Sequence, residues 1–362
     1  MPKGYGYGNA RLRAMRSRFL TKTDYNNLLA KTNIEEVITA LAETVYKNDI
    51  EAALVRADGV RCVFEALHAN LTRTLQVVRE FFEGDPRTLI DLMLRRWDRH
   101  NLLTILRGQS HEVSSEVVLS AVVPVGQIDE VSLRELARQP GLRATIDLMT
   151  TWHLPYAKAL RQVQPRTGTV PDLDQLELAL NRFHYASLWE ALSQGNGNHT
   201  IVREQLQIEI DLINLRTALR LASLPGINYL VHQRYHAADV RPLMIEAGGQ
   251  QLTKRLIALV AESIGLEEMV RRLSDTRYGA ALEAGWRRYQ AREGGLTVLE
   301  RALEQWQAEY IVTMFSRNPL SIATAIGYFG CKEIEVANLR LIAQAVVLGM
   351  KREQVRRELI IV

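Results

Sequence analysis

Cysteine is scarce in this chain: Cys62 and Cys331 are the only two among 362 residues. Two are too few for a disulfide framework and fit a reducing compartment. Proline is scarce as well, ten in all, and long stretches carry none. That suits helix, because proline removes a backbone donor and clashes with the preceding turn. No uncharged apolar run reaches the roughly 18 residues that a membrane span needs. Residues 1–20 carry arginines but no apolar stretch, so no secretory leader is expected.

Several chemical signatures are missing too. There is no Gly-x-x-x-x-Gly-Lys-Ser/Thr loop to cradle a nucleotide phosphate. Gly4-Tyr5-Gly6-Tyr7-Gly8 is glycine-rich, but no strand precedes it and its last glycine is misplaced for a dinucleotide fingerprint. Neither a Cys-x-x-Cys nor a His-Glu-x-x-His zinc motif is present, and no Gly-x-Ser-x-Gly elbow. His232 and His236 stand four apart in a polar, loop-like stretch without a nearby third ligand. Glu65-x-x-His68 resembles half of a di-iron helix pair whose second half is absent. No catalytic residue, metal or cofactor is expected.

What is present is ordinary in bulk. Hydrophobic residues make up 47 % and charged residues 24 %, enough apolar material for a sizeable core. The net charge of +4 comes with scattered arginines rather than a clustered basic face, so a nucleic-acid partner is not expected.

The ordering of the sequence is less ordinary, because it repeats. Leu-x-x-Thr-x-Tyr/His occurs at Leu41–Thr44–Tyr46, Leu148–Thr151–His153 and Leu273–Thr276–Tyr278. An acid-x-x-Asn-Leu pattern follows each copy, at Asp98–Asn101–Leu102, Asp211–Asn214–Leu215 and Glu335–Asn338–Leu339. Leu67, Leu180 and Leu303 precede the three acids at a near-constant distance. The unit is far longer than the roughly 20–50 residues of a solenoid repeat, so each copy is expected to be a small multi-helix module. The expected modules are residues 1–118, 119–238 and 239–362.

The secondary-structure signal is helical throughout. Leu94, Trp97, Asn101 and Ile105 keep the three-and-four spacing of one helix face, as do Ile208, Leu212, Leu215 and Leu219, and Val336, Leu339, Ala343 and Val346. Residues 208–221 are apolar on more than one side, which marks a helix covered by neighbours. The best strand candidate is 117–125, which also fits a buried helix end stopped by Pro124 and Gly126. Loops are expected at 164–171 and 193–198, with further turns at Pro225-Gly226, Gly248-Gly249 and Gly294-Gly295.

Asp98 and Asn101 are three apart and share a helix face, as do Asp211 with Asn214 and Glu335 with Asn338. One reading makes them three equivalent polar spots facing a shared centre or a partner. The other makes them structural, an acid and an amide that hold a neighbouring segment in register, as buried polar groups require. The structural reading is favoured, since diverged repeats must still pack alike. Arg216 and Arg340 stand five residues after their acids, but Leu103 takes that place in the first copy. Arg107 and Arg220 stand nine after theirs, where the third copy has Gln344. Any threefold symmetry is therefore approximate. The threonines are expected to bond back to the carbonyl four residues earlier, and Tyr46, His153 and Tyr278 to pack at module edges. Arg11, Arg13, Arg16 and Arg18 form a basic strip, either simply solvated or facing an anion or partner.

The opening Tyr5-x-Tyr7-x-Asn9-Ala10-Arg11-Leu12-Arg13-Ala14-Met15, the threefold repetition and the ending Gly327-Tyr328-Phe329-x-x-Lys332-Glu333-Ile334-Glu335-x-x-Asn338-Leu339-Arg340 resemble the C subunit family of the V/A-type rotary ATPases, to which the d subunit of the vacuolar enzyme corresponds. Val355-Arg356-Arg357-Glu358-Leu359 agrees. The resemblance runs over the whole chain and implies an all-α funnel of three similar modules around a central cavity. It implies a non-catalytic central-stalk subunit on the cytoplasmic face of the membrane proteolipid ring, receiving the rotor shaft in its cavity. Such a part couples ATP turnover to proton or sodium transport without binding nucleotide or carrying the ion. Two rivals share the repeats: a free-standing helical scaffold for protein partners, and a helical enzyme with titratable groups in its cavity. Copurification with a proteolipid and a coiled-coil shaft separates the first from a rotor part, and loss of a turnover on amidation of Asp98, Asp211 and Glu335 would support the second.

Overall fold

The structure, a computed structural model, describes residues 4–163, 172–195, 197–224, 240–248, 251–262, 264–291 and 294–361. Among the described residues the chain is all-helical, with eighteen α-helices, a short 3-10 turn at Arg241–Leu243 and no strand. None of these helices is long and apolar enough to cross a membrane. The helices group into two compact units, one made of 1–145 with 310–362, the other of 146–309. Position 118 falls inside a helix, Ser115–Ser120, and position 238 lies outside the described residues.

The first unit begins with α1 (Tyr5–Arg16), α2 (Lys22–Leu29), α3 (Ile34–Ala42) and α4 (Lys47–Leu54). Local sequence explains their starts. Thr21 accepts from the Asp24 backbone N–H while the Asp24 side chain accepts from Thr21, a reciprocal capping box. Asn33 caps α3 by accepting from the Glu36 N–H. Val37, Ile38 and Leu41 then turn the α3 stripe inward. The long helices α5 (Gly59–Arg79) and α6 (Gly84–Ser110) follow, then α7 (Ser115–Ser120) and α8 (Glu130–Ala137). On α5 the run Cys62, Val63, Ala66, Leu67, Leu71, Leu75 and Val78 is buried, one face at helical spacing. Residues 117–125 divide between the end of α7 and an irregular segment from 122 onward, where the Val125 N–H donates to the Val123 carbonyl at 2.9 Å, so they are no strand.

The second unit holds most of α9 (Leu142–Thr151), then α10 (Ala157–Val163), α11 (Leu173–Leu192), α12 (Asn198–Ala222), α13 (Gln251–Ala261), α14 (Leu266–Arg272), α15 (Gly279–Gln290) and the greater part of α16 (Thr297–Arg317). On α12, Ile208, Ile210, Leu212, Leu215 and Leu219 are all buried, as residues apolar on several sides must be. His232, His236 and the whole of the loop 164–171 lie outside the described residues, as does the turn at Pro225-Gly226.

The C-terminal helices α17 (Ala323–Val347) and α18 (Arg352–Glu358) return to the first unit. The stretch of α17 from Ala323 to Cys331 is buried on every side. Glycine makes this possible: a Cβ at Gly327 would lie 2.6 Å from the Phe315 backbone nitrogen, so the helix backbones meet where no side chain fits. Helix α17 packs on α5 and on α1. The Asn9 amide of α1 donates to the carbonyls of Pro319 and Ser321, both at 2.9 Å, and the Phe19 ring stacks on Tyr328 at 5.2 Å. Beginning and end of the chain are thus one packed body in this unit. Cys62 and Cys331 are both free thiols and buried.

Candidate functional site

The three repeat asparagines make the same contact three times. Asn101 donates to the Val123 carbonyl at 2.7 Å and accepts from the Val123 N–H at 2.8 Å. Asn214 does so with Ile245, at 2.9 Å each way, and its amide also donates to Thr253 Oγ1 at 2.9 Å. Asn338 does so with Ile360, at 2.8 and 3.1 Å. In each case a buried amide on a long helix pairs with one β-branched residue of a segment that leaves the helical path. Such a strap has no neighbouring strand, yet its N–H and C=O must be satisfied. Asparagine carries donor and acceptor side by side and replaces the missing ladder. An aspartate offers acceptors only, which explains the amide at all three places.

The three acids share burial but not partners. Asp98 on α6, fully buried, accepts from the backbone N–H groups of Gln127 and Ile128, both at 2.9 Å. Burial pushes its carboxyl above the usual range and the two N–H groups pull it back. Glu335 on α17 accepts the Tyr46 hydroxyl at 2.6 Å and Lys332 Nζ at 2.9 Å on Oε1, and the Leu20 N–H at 2.7 Å on Oε2. Lys332 Nζ also donates to the Tyr46 oxygen at 2.8 Å. Asp211 on α12 receives a bond from the Tyr278 hydroxyl at 3.0 Å. Its Oδ1 is buried without a partner among the described residues. Burial pushes its pKa up to about 6, against the pull of Tyr278 and Arg277.

The two motifs therefore meet crosswise. The tyrosine of the first copy serves the acid of the third, and that of the third copy serves the acid of the second. Tyr46 and Tyr278 are fully buried in doing so. Thr44 and Thr276 prepare the geometry by donating to the carbonyls of Leu41 and Leu273, each at 2.6 Å and three residues back rather than four. Those bonds close the helix and turn the chain so that the tyrosine points inward. Thr151 bonds four residues back, to Asp147 at 3.0 Å. His153 then adopts φ 56° and is exposed, so the second copy lacks a buried ring at this position. The sequence alone did not join Lys332, Tyr46 and Tyr278 to the acids, although the fixed order of the two motifs was the available signal.

The basic positions fall outside this network. Arg11, Arg13, Arg16 and Arg18 are exposed. The Arg11 guanidinium lies 4.5 Å from the Phe81 ring centre and donates to the Tyr7 hydroxyl at 3.1 Å. That of Arg16 lies 4.3 Å from the Phe315 ring centre. Arg340 is half-buried, and burial lowers its pKa. Among the described residues no group of three or more His, Cys, Asp or Glu side chains is placed to hold a metal ion. The repeat acids are thus anchored within the fold, and the exposed arginines are polar groups outside the repeat that a partner can reach.

Residues 8–358 match the family model described as ATP synthase (C/AC39) subunit. The chain is similar to the C subunit of the A-type ATP synthase of Methanosarcina mazei, with 27 % identity covering 99 % of this chain and 93 % of that protein. It is similar to the protein of that name from Archaeoglobus fulgidus, with 26 % identity over 99 % and 96 %. The corresponding protein of Haloferax volcanii shows 29 % identity over 98 % and 97 %.

Proposed function

The chain belongs to the ATP synthase (C/AC39) subunit family, and on that premise we propose that it is the part of a V/A-type rotary ATPase that joins the central rotor shaft to the membrane proteolipid ring. It is a structural subunit of a rotary complex. Its work is mechanical: it carries torque, so that ATP turnover and proton or sodium transport proceed together. In this reading three helical modules form a funnel around a cavity that receives the shaft, and the funnel sits on the cytoplasmic face of the ring.

The observation that carries the proposal is the match along nearly the whole chain, residues 8–358, to relatives covered almost end to end. The packing supports it physically. A torque-bearing part must not shear, and close-packed interiors have low compressibility. The Tyr46 hydroxyl joins Glu335 and Lys332 of α17, 289 and 286 residues away, Tyr278 joins Asp211, and the three asparagines hold straps 22–31 residues further along the chain. Removal of this subunit from the assembled complex is the test. ATP hydrolysis is expected to persist while ion pumping falls to background, and the proteolipid ring and shaft proteins should separate on purification. Full coupling without the chain, or failure to copurify with ring and shaft, would end the proposal.

A further inference from the structure

The repeat contains its own control for one arginine. On α12, Arg216 stands five residues after Asp211 and reaches Glu304 Oε1 on α16 at 3.8 Å. One turn further on, Arg220 Nε meets Glu300 Oε1 at 2.6 Å. Glu304 directly follows the repeat leucine Leu303. On α17, Arg340 stands five residues after Glu335, and the residue directly after the repeat leucine Leu67 on α5 is His68. An imidazole has replaced the acid of the ion pair. One turn away, Gln344 and Phe64 occupy the places of Arg220 and Glu300. Both acids that neutralise this helix pair in the second unit are gone from its counterpart in the first.

The consequence is an uncompensated cation. Arg340 is half-buried, and its Nε, like that of Arg216, is buried with no acceptor; unlike Arg216, which reaches Glu304, it has no carboxylate within ion-pair distance among the described residues. Its electrostatic neighbours are basic: Arg340 acts on His68, and Arg340, Arg99 and Arg96 all act on His100 of α6. Glu333 is already engaged by Arg96 at 3.2 Å. A guanidinium drawn out of water without a counter-ion is costly. His68 limits that cost by staying neutral, as burial and Arg340 both lower its pKa. An incoming carboxylate removes it, since the guanidinium fork matches a carboxylate in two parallel bonds.

We propose that Arg340, beside His68 and His100, is the docking point for a carboxylate side chain of the central shaft. The inference rests on the coupling role proposed above and names the chemistry of the contact. The shaft is the chosen source because a coiled coil carries Glu beside its apolar seam. A single carboxylate held by a desolvated arginine also fixes register better than an exposed pair, whose strength is small and screened.

The test uses the full chain and the purified shaft protein, with binding followed by calorimetry. Arg340→Gln is expected to weaken binding about tenfold or more, the loss of one charge-assisted contact, with the helical circular dichroism unchanged. His68→Glu rebuilds the ion pair seen at Arg216–Glu304. It should raise the thermal midpoint of the free chain and weaken shaft binding to a similar degree, because the arginine is then captured internally. Wild-type affinity in both folded variants overturns the proposal. Loss of binding to the proteolipid ring with shaft binding intact overturns the choice of partner. A wild-type chain that binds no shaft sinks the coupling role as well, so the two failures read differently.

Discussion

At the scale of single residues, chemistry rather than size decides what each repeat position tolerates. Asn101 must both donate and accept toward Val123. Asn101→Asp keeps the shape but loses the donor and places a second carboxylate three residues from buried Asp98. At neutral pH it is expected to cost about 2–3 kcal/mol in urea unfolding, the scale of a buried group left unsatisfied, with part recovered at pH 4 as the new acid regains a proton. Equal stability at both pH values would contradict this account. Asp211 predicts the opposite sign. Its pKa is raised from 3.8 to about 6 by burial, so its contribution to stability is fully present below pH 3.8 and lost as pH rises through about 6. The ionised form costs on the order of 2–3 kcal/mol above that window. Asp211→Asn is therefore expected to stabilise the chain at pH 7.5 and to be nearly neutral at pH 4. Its denaturation midpoint relative to the unmodified chain, measured at both values, checks the sign. The need for a polar pair at these positions was legible in the sequence from the spacing alone. Which acid would keep an oxygen without a partner, as Asp211 Oδ1 does, was not, because that depends on loops and tyrosines distant in the chain.

At the scale of elements, the decisive joints are crosswise. The ring of Tyr46, at the start of α4, is held by Glu335 and Lys332 of α17, 289 and 286 residues away. Helix spacing puts Val336, Leu339, Ala343 and Val346 of α17 on one face, and it does not show what any face of that helix meets. Pairing of the motifs across copies became visible only in three dimensions. The Lys332–Glu335 pair is nearly inaccessible, with side chains 5 % and 3 % exposed. Lys332→Met leaves an unpaired buried carboxylate and is expected to cost about 3–5 kcal/mol. Adding Glu335→Gln should recover part of that loss, since the amide can still bond Tyr46 or the Leu20 N–H. A double-mutant cycle by chemical denaturation gives the coupling, and strictly additive losses would mean that the pair does not act as a unit. Helix content along the chain needed none of this, since few prolines and an unbroken three-and-four spacing carry that information locally.

At the scale of the whole molecule, the fold class followed from what the chain repeats and lacks, whereas the surfaces that meet other proteins are set by partners that the chain does not encode. Arg11, Arg13, Arg16 and Arg18 illustrate the difference. All four are exposed on or just after α1. Arg11 and Arg16 also lie against Phe81 and Phe315, where a guanidinium gains from the ring quadrupole and holds its charge in place. Such pre-positioned cations suit a polar interface whose attraction falls with salt. Replacing all four with glutamine keeps much of the side-chain length while removing the charge. Assembly into the rotary complex is expected to weaken most at low ionic strength. Variant and unmodified chain should converge toward about 1 M salt, where screening acts within about 3 Å. Complex yield measured across a salt series decides it: a deficit that persists undiminished at high salt would assign these residues to packing, and no deficit at any salt would leave α1 a solvated face.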